Sequence, residues 1–212
     1  LRASIVRVVA TSDTHNNYPK MPAGDVFIHC GDLTARGTPA ELGKAFEWIL
    51  SIPCAHKIVI AGNHDFGLEN KSYVPPAGVM YLNSSGVEIL GLKIWGSPVV
   101  QRFQNWAFMR SEHEMHETWR EIPEDLTVLV THSPPAGVMD RAGTNHAGCT
   151  ALLDAVVEKR PSLHLFGHVH EGYGRVTGRG TTFANVSFVG VDEYGRAKSA
   201  NYPQVFDMLV LK

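Results

Sequence analysis

Residues 25–65 read DVFIHC, GDLTARG, TPAELGKAFEWILSIPCAH, KIVIA and GNHD, and this run decides the fold. Asp25 to Cys30 is an apolar, β-branched run of strand length. Thr38 is suited to cap a helix, with Pro39 at its first position and Glu41 at its third. Leu42, Ala45, Phe46, Ile49 and Leu50 then recur at helical spacing, and Pro53 stops the pattern. Lys57 to Ala61 predicts the next strand. A strand–helix–strand order predicts an α/β fold whose first strands are parallel, joined by right-handed crossovers.

Working outward, Ile5 to Ala10 predicts a buried strand before this unit. After it, Val87 to Leu90 and Leu92 to Trp95 flank a glycine turn at Gly91. Glu112 to Arg120 predicts a largely exposed helix, Thr127 to Val130 a strand, Gly148 to Val157 a helix and Leu163 to Phe166 a short strand. The alternating segments Arg175 to Phe188 and Val205 to Leu211 predict closing antiparallel strands. There is no repeat, linker or low-complexity segment, so residues 1–212 are expected to form one domain.

Composition narrows the function classes. With 44% hydrophobic and 19% charged residues, the chain carries enough apolar material for a sizeable core. A formal net charge of -2 gives no broad cationic field, which argues against binding long nucleic acid. Cys30, Cys54 and Cys149 form no Cys-x-x-Cys pair and are expected to be buried free thiols. No signal-peptide pattern is present, and no apolar stretch approaches ~18 residues. No membrane partner and a cytoplasmic location are therefore the expectations.

Five polar clusters follow the apolar runs: Asp13-Thr14-His15, Gly31-Asp32, Gly62-Asn63-His64-Asp65, Thr131-His132 and Gly167-His168-Val169-His170. In an extended segment Asp13 and His15 share a side, so a carboxylate and an imidazole can grip one ion. Asp32 has two oxygens with which to bridge two cations. Asn63 offers a neutral carbonyl where excess negative charge would repel a phosphate, and His64 faces away from it, better placed as a proton donor. His132 precedes Ser133-Pro134-Pro135, which forces an extended exit, and His168 and His170 set two imidazoles at i and i+2. Each cluster taken alone reads equally as a polar turn or a hydrogen-bonded histidine. Together they occupy the carboxyl ends of strands, where open α/β sheets bind ligands. Such a set of oxygen and imidazole groups suits a pair of divalent metals, a standard apparatus for phosphate-ester hydrolysis.

In order and spacing, the clusters from Asp13 to His170 resemble the calcineurin-like metallophosphoesterase superfamily, with no motif residue missing. The short Asp13 to Asp32 interval, residues 131–135 and residues 167–174 look like its small metallophosphoesterase-domain proteins, including the class III cyclic-nucleotide phosphodiesterase type. The resemblance implies two mixed β-sheets packed as a sandwich flanked by helices. It implies one metal on Asp13, His15, Asp32 and His170, and a second on Asp32, Asn63, His132 and His168, with Asp32 the bridge. His64 would be the non-ligand histidine that contacts phosphate and protonates the leaving oxygen, with Asp65 orienting it. Manganese or iron fits the mixed nitrogen and oxygen shell, and zinc is compatible with it.

The expected activity is a metal-dependent phosphodiesterase in which a hydroxide bridging the two ions attacks a small diester, such as a cyclic nucleotide. A phosphomonoesterase or nuclease of the same fold, or a non-catalytic scaffold, stands as the alternative. Further residues carry open readings. His29 is either a donor to a ligand or a satisfied core histidine, and His146 either touches substrate or serves its loop. Trp95 to Pro98 and Phe103 to Phe108 either wall a nucleobase or pack. Arg36 and Arg102 are candidate phosphate contacts, and His113 and His116 are expected to be solvated.

Overall fold

In a computed structural model, residues 3–190 and 200–211 are described. The 25–65 run folds as its pattern predicts. Strand β2 (Gly24–Cys30) leads through a loop into helix α1 (Pro39–Ser51), which returns to strand β3 (Cys54–Ile60), parallel to β2. Thr38 and Glu41 form a reciprocal capping box, and the helix buries Leu42, Ala45, Phe46 and Ile49. β3 begins three residues before the predicted Lys57, because its register with β2 carries pairing back to Gly24 and Cys54.

Strand β1 (Ala3–Thr11) lies beside β2, and a two-residue strand β4 (Met80–Tyr81) lies beyond β3, all four parallel. A second sheet contains β5 (Ser85–Ile89), β6 (Leu92–Ser97), β9 (Val128–Thr131), β12 (Leu163–Phe166), β13 (Gly174–Gly178) and β14 (Thr181–Asn185). Its order is β13-β14-β12-β9-β6-β5, with β14, β12, β9 and β6 parallel. Two short ribbons stand outside the sheets, β7 (Val100–Gln101) with β8 (Met109–Arg110) and β10 (Arg141–Ala142) with β11 (Asn145–His146). The last strand, β15 (Gln204–Leu211), runs antiparallel to β1 at the edge of the first sheet. The tail thus closes the first sheet as predicted. In the second sheet β14 pairs antiparallel with β13 but parallel with β12, so it is an inner strand and not an antiparallel closure.

Alternation along the parallel strands divides the core into three layers. Val8, Ala10, Ile28 and Ile60 of the first sheet face Ile94, Val130 and Leu165 of the second. Val9, Phe27 and Val59 point the other way, onto Leu42, Phe46 and Ile49 of α1. On the far side, Trp95, Leu129 and Phe166 pack against α3 (Glu112–Arg120) through Met115 and Trp119, and against α4 (Thr150–Lys159) through Leu152 and Val156. The result is the two-sheet sandwich flanked by helices that the motifs implied. All three cysteines are buried and free, and Cys149 caps α4 by accepting the Leu152 N–H at Sγ. No helix among the described residues is long and apolar enough to cross a membrane.

Candidate metal centre

The carboxyl ends of both parallel strand sets converge. The sheets are stitched there where Ser12 N–H donates to the Val186 carbonyl (2.9 Å) and Phe188 N–H to the Ser12 carbonyl (2.7 Å). Asp13 and His15 follow β1, Asp32 follows β2, Asn63 and His64 follow β3, His132 follows β9, and His168 and His170 follow β12. Their ligating atoms form three groups: Asp13 with His15 and His170, His15 with Asp32 and His64, and Asp32 with His132 and His168. Within each group the atoms lie within 4.8 Å of one another. Asn63 Oδ1 joins the third group, 3.0 Å from His132 Nε2.

Asp13 and His15 do not converge through strand alternation as expected. Both have positive φ (51° and 42°), as do Asp32 (53°) and His168 (66°), so the loops turn the side chains inward. Non-glycine residues in this left-handed region cost about 1–3 kcal/mol each, and persist where the surroundings over-determine them. Close packing explains the motif glycines. At Gly31, with φ of 97°, a Cβ would come within 2.6 Å of His132 Nδ1; at Gly167 it would meet Asp13 Oδ2 at 2.1 Å.

The rings are aimed by backbone carbonyls. His15 Nδ1 donates to the Thr34 carbonyl (3.1 Å), His64 Nδ1 to that of Ala35 (2.8 Å) and His132 Nδ1 to that of Cys30 (2.9 Å). A carbonyl can only accept, so each ring keeps its proton on Nδ1 and turns Nε2 toward the carboxylates. Nε2 of His132, His15 and His64 lies 3.4, 3.8 and 4.0 Å from Asp32 Oδ2, and His170 Nε2 lies 3.3 Å from Asp13 Oδ1. Two ligands bonded at about 2.1 Å to one ion sit about 3–3.5 Å apart, and the His132–Asp32 and His170–Asp13 spacings fall in that range.

The charges agree with that fit. Asp13 and Asp32 are buried, which disfavours their ionised form, yet His170 holds Asp13 and His132 holds Asp32 well below the usual carboxylate range. Burial works against charge on His132 too, but Asp32 and Asp13 raise it to about 9. Its Nε2 faces only oxygens that accept, so a proton or a metal cation must lie between them. Burial pushes His168 down to about 4, leaving a neutral ring with a lone pair to offer. The centre borders a cleft of about 390 Å³ whose far wall includes Ala142, Ala147 and Glu171.

Asp65 departs from its expected role. Its carboxylate accepts from the N–H groups of Gly62, Leu33 and Thr34 and from the Thr34 hydroxyl, tying the loops after β2 and β3 together. The Ala35 carbonyl, not Asp65, holds His64. Trp95 is buried against Trp119 and is not in the wall of the cleft at the metal centre, whereas Trp106 lies over His64 with ring centroids 4.5 Å apart. His146 donates to Asp140 (2.8 Å) in its ribbon, and Arg36, Arg102, His113 and His116 are exposed. Two residues escaped the sequence reading. Ser187 Oγ donates to Asp13 Oδ2 (2.8 Å), and Asn185 Nδ2 to the Val169 carbonyl between the two histidines (2.8 Å). The alignment of β14 beside β12 and the bridge of Ser187 to Ser12 bring them there, and nothing local signals either.

The family model described as calcineurin-like phosphoesterase matches residues 6–172. The human metallophosphoesterase domain-containing protein 1 is 36% identical over 234 residues, which cover 95% of this chain and 71% of that protein. A protein of Emericella nidulans named probable rhamnogalacturonate lyase C is 43% identical over 189 residues, covering 81% of this chain; the chain spans 18% of that relative's length. Among solved structures, the phosphopantetheinyl hydrolase of Mycobacterium tuberculosis superposes with a TM-score of 0.59 at 18% identity, covering 87% of this chain and 89% of that one.

Proposed function

The chain belongs to the calcineurin-like phosphoesterase family, and from that premise we propose a phosphodiesterase acting on small diesters, nucleotide-like ones included, with two metal ions. The observation that carries this is the convergence of imidazole Nε2 atoms on Asp13 and Asp32 from both sheets. Asp13, His15, Asp32 and His170 would hold one ion, and Asp32, Asn63, His132 and His168 the other. Manganese or iron suits nitrogen and oxygen donors without thiolate, with zinc the other choice. When bound, the ions supply an activated water and offset the charge that builds on the phosphoryl oxygens.

The protein's own groups do the rest. Asp32 presents a carboxylate to both half-sites, and the neutral Asn63 limits the negative charge met by an incoming phosphate. His64 keeps one proton on Nδ1 for Ala35, so a second proton on Nε2 makes it a donor to the departing oxygen. Trp106 backs that ring and supplies an aromatic surface beside the leaving group. A cleft of about 390 Å³ matches a small ligand better than a polymer, and a net charge of -2 supplies no track for a long anionic strand.

The test joins metal analysis to a substrate panel of 2′,3′- and 3′,5′-cyclic nucleotides, bis(p-nitrophenyl) phosphate and p-nitrophenyl phosphate. Two ions per chain with faster turnover of a diester is expected. Preference for the monoester overturns the diesterase assignment, and no turnover with both ions in place overturns the enzyme reading.

A further inference from the structure

Two buried histidines lie just behind the metal centre, one in each sheet, and neither is a metal-ligand candidate. His29 sits in β2 and His164 in β12, both fully buried. We propose that the pairs His29–Thr14 and His164–Thr131 are positioning residues, each holding in place the ligand-bearing loops of one half of the metal centre. This rests on the two-ion reading above.

In the first pair every proton is assignable. His29 Nδ1 accepts the Gly31 N–H (3.2 Å), so the ring proton is on Nε2 and donates to Thr14 Oγ1 (3.0 Å). The Thr14 hydroxyl then donates onward to the Leu33 carbonyl (3.4 Å). Thr14 stands between Asp13 and His15, while Gly31 and Leu33 flank Asp32. One imidazole and one hydroxyl therefore lock together two loops whose three ligand candidates all have left-handed backbones. Such conformations need external restraint, and this link supplies it.

The second pair repeats the device in the other sheet. The Thr131 hydroxyl donates to the Ser133 carbonyl (2.7 Å), so it accepts from His164 Nε2 (2.8 Å). The link spans His132, which lies between Thr131 and Ser133. His164 pays for it: its Nδ1 is buried with no hydrogen-bond partner among the described residues. A leucine there would avoid that unpaired nitrogen, so packing alone does not account for an imidazole. In each sheet the threonine adjoins a ligand candidate and the histidine comes from the neighbouring strand, β2 beside β1 and β12 beside β9.

Valine keeps the shape of threonine and removes its hydroxyl; serine keeps the hydroxyl. Thr14→Val, Thr131→Val and the matching serine variants are titrated with Mn²⁺ by calorimetry. Ions per chain, the exchange-coupled two-manganese paramagnetic resonance signal and metal-free melting are read alongside. Each valine variant is expected to fold, to bind one of its two ions about 10- to 100-fold more weakly and to lose the coupled signal, with serine restoring both. Valine variants with parental affinity and coupling overturn the proposal, as does weakening that serine fails to restore, since that marks a packing effect. Should valine prevent folding, alanine read against serine makes the same comparison. A parent protein that binds fewer than two ions removes the two-ion reading and this proposal with it, whereas a failure confined to the variants leaves the reading standing.

Discussion

At the scale of single residues, the centre works by fixing protons before any ion arrives. His64 is held at Nδ1 by a main-chain carbonyl and belongs to neither of the two ligand sets proposed above, so its loss is expected to leave both ions in place. His64→Ala should keep two ions yet lower kcat about 10²–10⁴-fold on a poor alkoxide leaving group, with a smaller loss on p-nitrophenolate, which needs no protonation. Near-parental kcat on the poor leaving group would show that the ring is not the acid. Asp32→Ala should instead lose both ions, because the carboxylate lies within 4.0 Å of three imidazoles. His132 gives a separate, sign-specific expectation. Its folded pKa of about 9 lies above the ordinary 6.5. In metal-free protein its contribution to stability is therefore fully present below about pH 6.5, and is lost as pH rises through about 9. A cation at Nε2 displaces that proton, so Mn²⁺ binding at pH 7.5 should release protons, measurable by calorimetry in buffers of different ionisation enthalpy. Identical heats in those buffers would mean that the ring is already neutral.

At the scale of elements, helix α1 connects the hydrophobic pattern to the site. Its Thr38–Glu41 capping box satisfies main-chain donors at the N-terminus, and Glu41 also accepts from Asn16 Nδ2 (2.8 Å) in the loop that carries His15. Thr38→Ala should cost about 1 kcal/mol in urea unfolding, with ion binding little changed because the Asn16 contact survives; a loss of ions would show that the cap itself holds the loop. This helix was legible in the sequence because cap, first-turn proline and apolar spacing all agree. Helix α3 was legible as a largely exposed helix, while its capping box at Ser111 and Glu114 is a finding of the structure. β4, the four-residue α2 (Phe66–Glu69) and the two ribbons were not, being too short to show a period and existing only through neighbours. The candidate ligand positions were readable as strand ends, but the reason for their convergence was not. Alternation suggested extended pairs, whereas the backbone at Asp13, His15 and Asp32 is left-handed, and the close glycine contacts around them are long-range.

At the scale of the whole molecule, the centre joins the two sheets at the carboxyl ends of their parallel strands. Asp13, His15, Asp32 and Asn63 belong to the first sheet, and His132, His168 and His170 to the second. The apolar layer between the sheets is continuous and indifferent to metal, while at the carboxyl ends buried carboxylates and imidazoles face each other directly. An ion there would neutralise groups from both sheets at once, so its binding energy would become stability of the sandwich as a unit. The arithmetic is RT ln(1 + [L]/Kd), about 2.7 kcal/mol for one site at a hundredfold excess over Kd. Adding Mn²⁺ to chelated protein should therefore raise the melting temperature in proportion to the logarithm of free metal. Amide exchange should slow together in β1, β2, β9 and β12, with the gain fading toward the opposite strand ends. Protection confined to one sheet would place the ions within that half alone and break the bridge assigned to Asp32, because a carboxylate shared between the half-sites cannot be ordered from one side without ordering the other.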